Sequence, residues 1–302
     1  MGGLRLPRAH RTSRYWAILA GVDHTPAFPN SSDRGASRFE YSLGFILLMT
    51  LASGITCELT LLFLQFSGWE ERLPPLVTGV IVPASGGLIF PLVVIHAVYG
   101  QTLREFGIRW IDPGRDAWRW LAVSGTVVLL GWIVIWLLLF VLVNFGPPGT
   151  HAASPEMNPG MLQAKNPLYR LFHGADTAET VAAVVQPCLL VGFLEELFGR
   201  GLLMNALDRR YQTVWRWRRW AIRRSTVLAS VLFAAWHINW LSSTLPEILE
   251  SAVSALLLWP ASFLLCVAYE KTRSLAVTVT LHAILDGGKL VGWYLVSLFF
   301  VR

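Results

Sequence analysis

Six residues towards the C-terminal end of the chain could do chemistry together. Glu195, Glu196 and Arg200 lie in one apolar segment, His237 closes a second, and His282 and Asp286 lie in a third. Charged groups are expensive in such surroundings, about 2.5–3.5 kcal/mol each at a bilayer centre on insertion scales. Three separate insertions need a shared explanation, and a hydrolytic centre supplies one. A carboxylate can deprotonate water, an imidazole can orient it, and further groups can hold the oxyanion that forms on an attacked carbonyl.

Spacing distributes these roles. On a helix, Glu196 and Arg200 are four residues apart and share a face, whereas Glu195 points roughly 100° away. The guanidinium is expected to hold Glu196 bidentately as a structural counter-ion, leaving Glu195 as a desolvated general base. Phe233 precedes His237 by one helical turn. His282 and Asp286 share a face, so Asp286 is expected to set the tautomer and orientation of His282 beside the oxyanion. Read without chemistry, the same residues make a buried ion-pair network.

Two imidazoles and a carboxylate also match the three protein ligands of an open catalytic zinc site. Glu196, His237 and His282 are the candidate ligands, and zinc is left open as a cofactor. No His-Glu-x-x-His is present to demand it. Serine and aspartyl mechanisms lack support, since no span holds Gly-x-Ser-x-Gly or Gly-x-Gly-Asp.

The elements that must hold these residues follow from composition. Of 302 residues, 54% are hydrophobic and 15% charged, and mean hydropathy is +0.50; a soluble domain would carry about 25% charge. Apolar segments of about 20 residues recur, each enough to cross a bilayer. The reading is an all-α polytopic transmembrane bundle of seven or eight helices, with spans at 42–66, 76–99, 119–145, 178–206, 225–241, 247–269 and 274–301, the last divisible near Gly287-Gly288.

Three regions are expected: a basic flexible cytoplasmic tail at 1–40, N-terminal transmembrane helices with a Pro/Gly-rich loop at 41–177, and a catalytic helix bundle at 178–302. The first 40 residues hold no apolar run long enough for a signal peptide. Arginine-rich loops around 100–118, 207–224 and 270–273 place the N-terminus in the cytoplasm of a multi-pass protein, expected in the plasma membrane.

Net charge is +6, and seven arginines between Arg209 and Arg224 are interleaved with Trp215, Trp217 and Trp220. In a multi-span protein this pattern points to an interfacial helix on the lipid surface and not to nucleic acid. Cys57, Cys188 and Cys266 are dispersed and read as buried core residues rather than a disulfide or thiolate site. Glu58, His96 and Glu250 read as locally satisfied.

Taken in order, Glu195-Glu196-x-x-x-Arg200, Phe233-x-x-x-His237 and His282-x-x-x-Asp286 resemble the CPBP family of intramembrane proteases, which includes type II CAAX prenyl endopeptidases and Abi proteins of bacteriocin processing and immunity. The resemblance covers about 178–290. It implies functional roles for Glu195, Glu196, His237, His282 and Asp286, with Arg200 in support, and a membrane protein or lipidated peptide as substrate. Asp286 departs from the Asn common in the prenyl-protease branch: an amide can donate to an oxyanion and an ionised Asp cannot. The alternative function is a non-catalytic membrane immunity or scaffold protein. A transporter would be expected to show an inverted repeat, and none is evident.

Overall fold

The structure is a computed structural model that describes residues 42–110, 115–145, 168, 181, 183–211, 213–217, 220–239 and 244–299. The basic tail at 1–40 and nearly all of the Pro/Gly-rich loop at 146–177 lie outside the described residues.

Local signals set the helix ends. Ser42 Oγ accepts from the Phe45 N–H at 3.2 Å and opens α1, Leu43–Phe66. Pro75, at a first-turn position where its missing N–H costs nothing, opens α2 over 75–98, which widens into π-helical turns at Ser85–Ile89 and Val94–Val98. Next comes α3, Arg115–Phe145. The fourth helix, α4, runs over 186–208, with a short α-helical piece, Gly192–Glu196, between π-helical turns at Gln186–Val191 and Leu197–Met204. A hairpin of β1, Val214–Trp217, and β2, Trp220–Arg223, precedes α5, Arg224–Trp236, α6, Leu245–Thr272, and α7, Leu275–Phe299.

Among the described residues, five helices are long and apolar enough to cross a membrane: α1, Val77–Val98 of α2, Ala117–Leu138 of α3, α6, and Leu275–Gly292 of α7. The remaining two segments read as spans differ for physical reasons. α4 carries Glu195, Glu196, Arg200 and Asp208, all within one helix. α5 has 13 residues, about 20 Å of helix against a hydrocarbon core of roughly 30 Å. The other helices supply the surroundings that these two lack. Residues 196–208 of α4 are all buried, and Phe198, Leu202, Leu203 and Leu207 pack among Ile46, Phe106, Phe233 and Tyr269.

A polar corner fixes the angle between α6 and α7. Arg273 takes a left-handed φ of 51° between them, and its N–H reaches Tyr269 O at 2.7 Å. The Leu275 and Ala276 N–H groups at the start of α7 donate to Arg109 O and Trp110 O at 2.9 Å. The Arg273 guanidinium pairs with buried Asp208 at 2.5 Å, and Asp208 also accepts from the Ser225 hydroxyl. The direction of α7 is thus set from four chain segments.

Two expectations are corrected. The arginine and tryptophan segment is a hairpin rather than an interfacial helix, with Trp215 opposite Ile222 and Arg216 opposite Ala221. Its aromatic and β-branched content suits strands. The Glu270 carboxylate and Lys271 ammonium secure the outer edge of β2, taking the Arg223 N–H at 3.1 Å and reaching Ala221 O at 3.0 Å. Second, α7 is continuous through Gly287-Gly288; the Trp132 indole of α3 packs over Gly288 and keeps that turn in the bundle.

Candidate active site

The short α-helical piece of α4 turns its two carboxylates to different neighbours. Glu196 is completely buried, and its Oε1 accepts from Arg200 NH1 at 2.8 Å and from His282 Nδ1 at 2.8 Å. Arg200 NH2 donates to Ser262 O of α6 at 3.0 Å. Its guanidinium carbon lies 4.4 Å from the Phe233 ring centroid. The grip on Glu196 is therefore single rather than bidentate, because the second arm of the fork binds the α6 backbone. One buried cluster ties α4, α5, α6 and α7 together.

Glu195 faces the other way. Its Oε2 lies 3.4 Å from His237 Nε2 and 3.6 Å from His282 Nε2. Both distances exceed an ordinary hydrogen bond, so neither ring claims the carboxylate directly. His237 caps α5, and its Nδ1 is 2.9 Å from Phe233 O. That carbonyl can only accept, so Nδ1 carries the proton and Nε2 of the neutral ring presents a lone pair. Asp286 Oδ2 is 3.5 Å from His282 Nε2.

Two glycines allow these approaches. A Cβ on Gly192 would stand 3.3 Å from His282 Cγ, and one on Gly199 would stand 2.7 Å from Phe233 Cδ2. With hydrogen at both positions, α7 and α5 bring their rings against the α4 backbone. The Phe233 ring also packs edge-on to His237, with centroids 4.9 Å apart.

Glu195, His237, His282 and Asp286 border one cavity of about 1360 Å³, walled largely by α3, α6 and α7, with Trp215 and Ile222 of the hairpin at its edge. A smaller cavity of about 480 Å³, lined by Glu58 among apolar residues of α1 and α2, meets His237 from its other side.

All six residues chosen from the sequence are gathered here, but some expected partnerships change. Glu196, not Asp286, holds the Nδ1 of His282; Asp286 faces Nε2. The zinc set of Glu196, His237 and His282 does not converge, since Glu196 Oε1 is already shared by a guanidinium and an imidazole while His237 points to Glu195. Among the described residues, no group of three His, Cys, Asp or Glu side chains could hold a metal ion. The proposed ligands do not fit zinc. Sequence reasoning missed Gly192, Gly199 and Ser262. Only the glycine spacing within the acidic segment was available as a signal.

Membrane-length helices around a buried charged axis, with a carboxylate between two imidazoles, define an integral multi-pass membrane protein with an enclosed polar site. Residues 177–288 match the family model of type II CAAX prenyl endopeptidases, Rce1-like. This stretch holds all six site residues, and the family it matches is the one that the motifs resemble. No curated protein and no solved structure gives a match.

Proposed function

We propose that the protein is an intramembrane endopeptidase, CAAX-protease-like, in which Glu195 and His237 activate the attacking water. The observation that carries this reading is the position of Glu195 Oε2 between two imidazole Nε2 atoms at the cavity, while Arg200 neutralises the adjacent Glu196. A purely structural lock would use Glu196 and Arg200. It would leave Glu195, His237 and Asp286 turned towards a cavity without a role.

The chemistry follows from the donors and acceptors. His237 Nε2 and Glu195 Oε2 are two acceptors 3.4 Å apart, and a water satisfies both by donating one hydrogen to each. Its lone pair is then free to attack a carbonyl carbon in the cavity. As the new C–O bond forms, Glu195 takes a proton from the water. His282 in its imidazolium form keeps Nδ1–H on Glu196 and offers Nε2–H to the developing oxyanion. Asp286, beside that nitrogen, supplies negative charge that stabilises the imidazolium. Collapse of the intermediate breaks the C–N bond, and the protonated Glu195 returns its proton to the leaving amine.

The large apolar cavity suits a membrane protein segment or a lipidated peptide, with the bilayer as the surrounding partner. We place the protein in the plasma membrane with a cytoplasmic N-terminus, testable with reporter fusions at both ends. The function is tested with purified protein in nanodiscs and a quenched prenylated CAAX peptide. Wild type cleaves and resists chelator, whereas Glu195→Ala and His237→Ala are folded and inactive. Failure of folded wild type to cleave, or full activity of Glu195→Ala, would overturn it.

A further inference from the structure

We infer that the hairpin of β1 and β2 is a docking surface for anionic phospholipid headgroups, which bind Arg216 and Arg224 and hold the edge of the large cavity at the lipid surface. Between positions 209 and 224 the chain carries seven arginines and no Asp or Glu. Part of this charge is used inside the protein: Arg209 NH2 donates to Gln101 Oε1 at 2.7 Å, and Arg223 NH1 lies 3.5 Å from buried Asp208. Arg216 and Arg224 are exposed, and neither forms an ion pair among the described residues. Arg224 also opens α5, where a cation opposes the helix dipole. Both guanidinium groups are therefore left for a partner that brings negative charge.

Strand register sorts the hairpin into two faces. Side chains alternate along a strand, and directly opposite residues share a face. Trp215, with Ile222 opposite it, and Trp217 take one face; Arg216 with Ala221, and Val214 with Arg223, take the other. Trp215 and Trp217 are exposed, Trp215 by 53%. Such indoles suit the headgroup layer, where an amphipathic ring meets lipid and water together. The hairpin stands at that level because Glu270 and Lys271, which hold β2, lie in the last turn of membrane-length α6. Trp215 and Ile222 also line the large cavity, so whatever seats the hairpin seats the cavity's edge. An anionic headgroup complements the free cations, the exposed indoles and the position at the end of a span. A soluble polyanion complements the cations alone.

The test uses full-length protein in neutral-detergent micelles equilibrated with equal amounts of phosphatidylglycerol and phosphatidylcholine. Lipid retained through gel filtration is quantified by mass spectrometry, and a photoactivatable phosphatidylglycerol maps where it binds. Wild type is expected to retain phosphatidylglycerol over phosphatidylcholine, to crosslink on the hairpin, and to lose the preference at about 1 M salt, where the screening length is roughly 3 Å. Arg216→Gln and Arg224→Gln each weaken phosphatidylglycerol binding roughly fivefold. Arg216→Lys retains most of it, and Arg72→Gln, the same charge change at an exposed site between α1 and α2, has no effect. Should a Gln variant fail to fold, the crosslink position and the salt dependence of wild type decide. Equal retention of both lipids by wild type, crosslinks away from the hairpin, or an equal loss in Arg72→Gln overturns the site. So does displacement of phosphatidylglycerol by an equal concentration of an acidic peptide or an RNA oligonucleotide, which would assign the arginines to a soluble polyanion. None of these readouts depends on cleavage, so the lipid site stands or falls apart from the protease reading.

Discussion

Adjacent residues in α4 predict opposite mutant behaviour. Glu196 and Arg200 are sealed in the bundle, whereas Glu195 retains 15% of its side-chain surface at the cavity. Removing the guanidinium leaves a buried carboxylate without its main counter-charge, so Arg200→Met is expected to cost about 3–5 kcal/mol of stability. Thermal unfolding in detergent reads this as a large drop in midpoint. Glu195→Gln removes only the proton acceptor. Its melting profile stays near wild type while kcat falls by roughly 10²–10⁴, the usual contribution of a general base. A stable Arg200→Met or an unstable Glu195→Gln would reverse this division of roles. Asp286 allows a finer test. If it acts through charge on His282, Asp286→Asn loses about tenfold in kcat, as an exposed charge pair near a reacting group would. If it acts as a protonated donor, the amide replaces it and activity is kept.

Side chains in α4 act only because neighbouring helices come unusually close. Gly192 admits the His282 ring, and Gly199 admits the Phe233 ring that supports both Arg200 and His237. Gly192→Ala asks His282 to yield by a few tenths of an ångström, and misplacements of that order around a reacting centre are costly. Its expected signature is a fall of at least tenfold in kcat with unfolding little changed. Gly199→Ala meets a larger ring head-on and should destabilise by about 1–3 kcal/mol, the range for overpacking. Phe233→Leu in the same chain should recover part of that loss, because it shortens the side chain that the new methyl strikes. Additive losses in the double variant would mean that the two residues are not in contact. These glycines also mark where sequence reading stopped. Helical periodicity put Glu196 with Arg200 and His282 with Asp286, since i and i+4 neighbours need no tertiary information. The bond from His282 to Glu196 crosses 86 residues and depends on the angle of α7, which the Asp208 and Arg273 corner sets. The hairpin was hidden for a related reason: its strands are secured by Glu270 and Lys271, 47 and 50 positions away from the residues they hold.

At the scale of the whole molecule, polarity is inverted relative to a soluble protein. Charged α4 is the axis, and the outer faces of the long helices carry large apolar side chains, among them Leu48 on α1, Leu138 on α3 and Leu256 on α6. Water would make such a surface aggregate, whereas lipid tails make it the favourable one. On the proposed mechanism the arrangement would also serve the chemistry, since a lipid-covered wall keeps bulk water from a site and strengthens each electrostatic contact at Glu195. The same substitution should therefore have opposite costs by location. Leu48 is 58% exposed, a position where Leu→Arg in a soluble domain would change stability by about 0.5 kcal/mol or less. Facing hydrocarbon, Leu48→Arg should cost up to about 2.5–3.5 kcal/mol, the insertion-scale value at the centre of a span. Its yield in the membrane fraction should drop sharply while Leu48→Phe inserts normally. Normal insertion of Leu48→Arg with unchanged activity would show that this face of α1 is wet, and the bundle would then have to lie in the membrane with α1 turned to a water-filled surface.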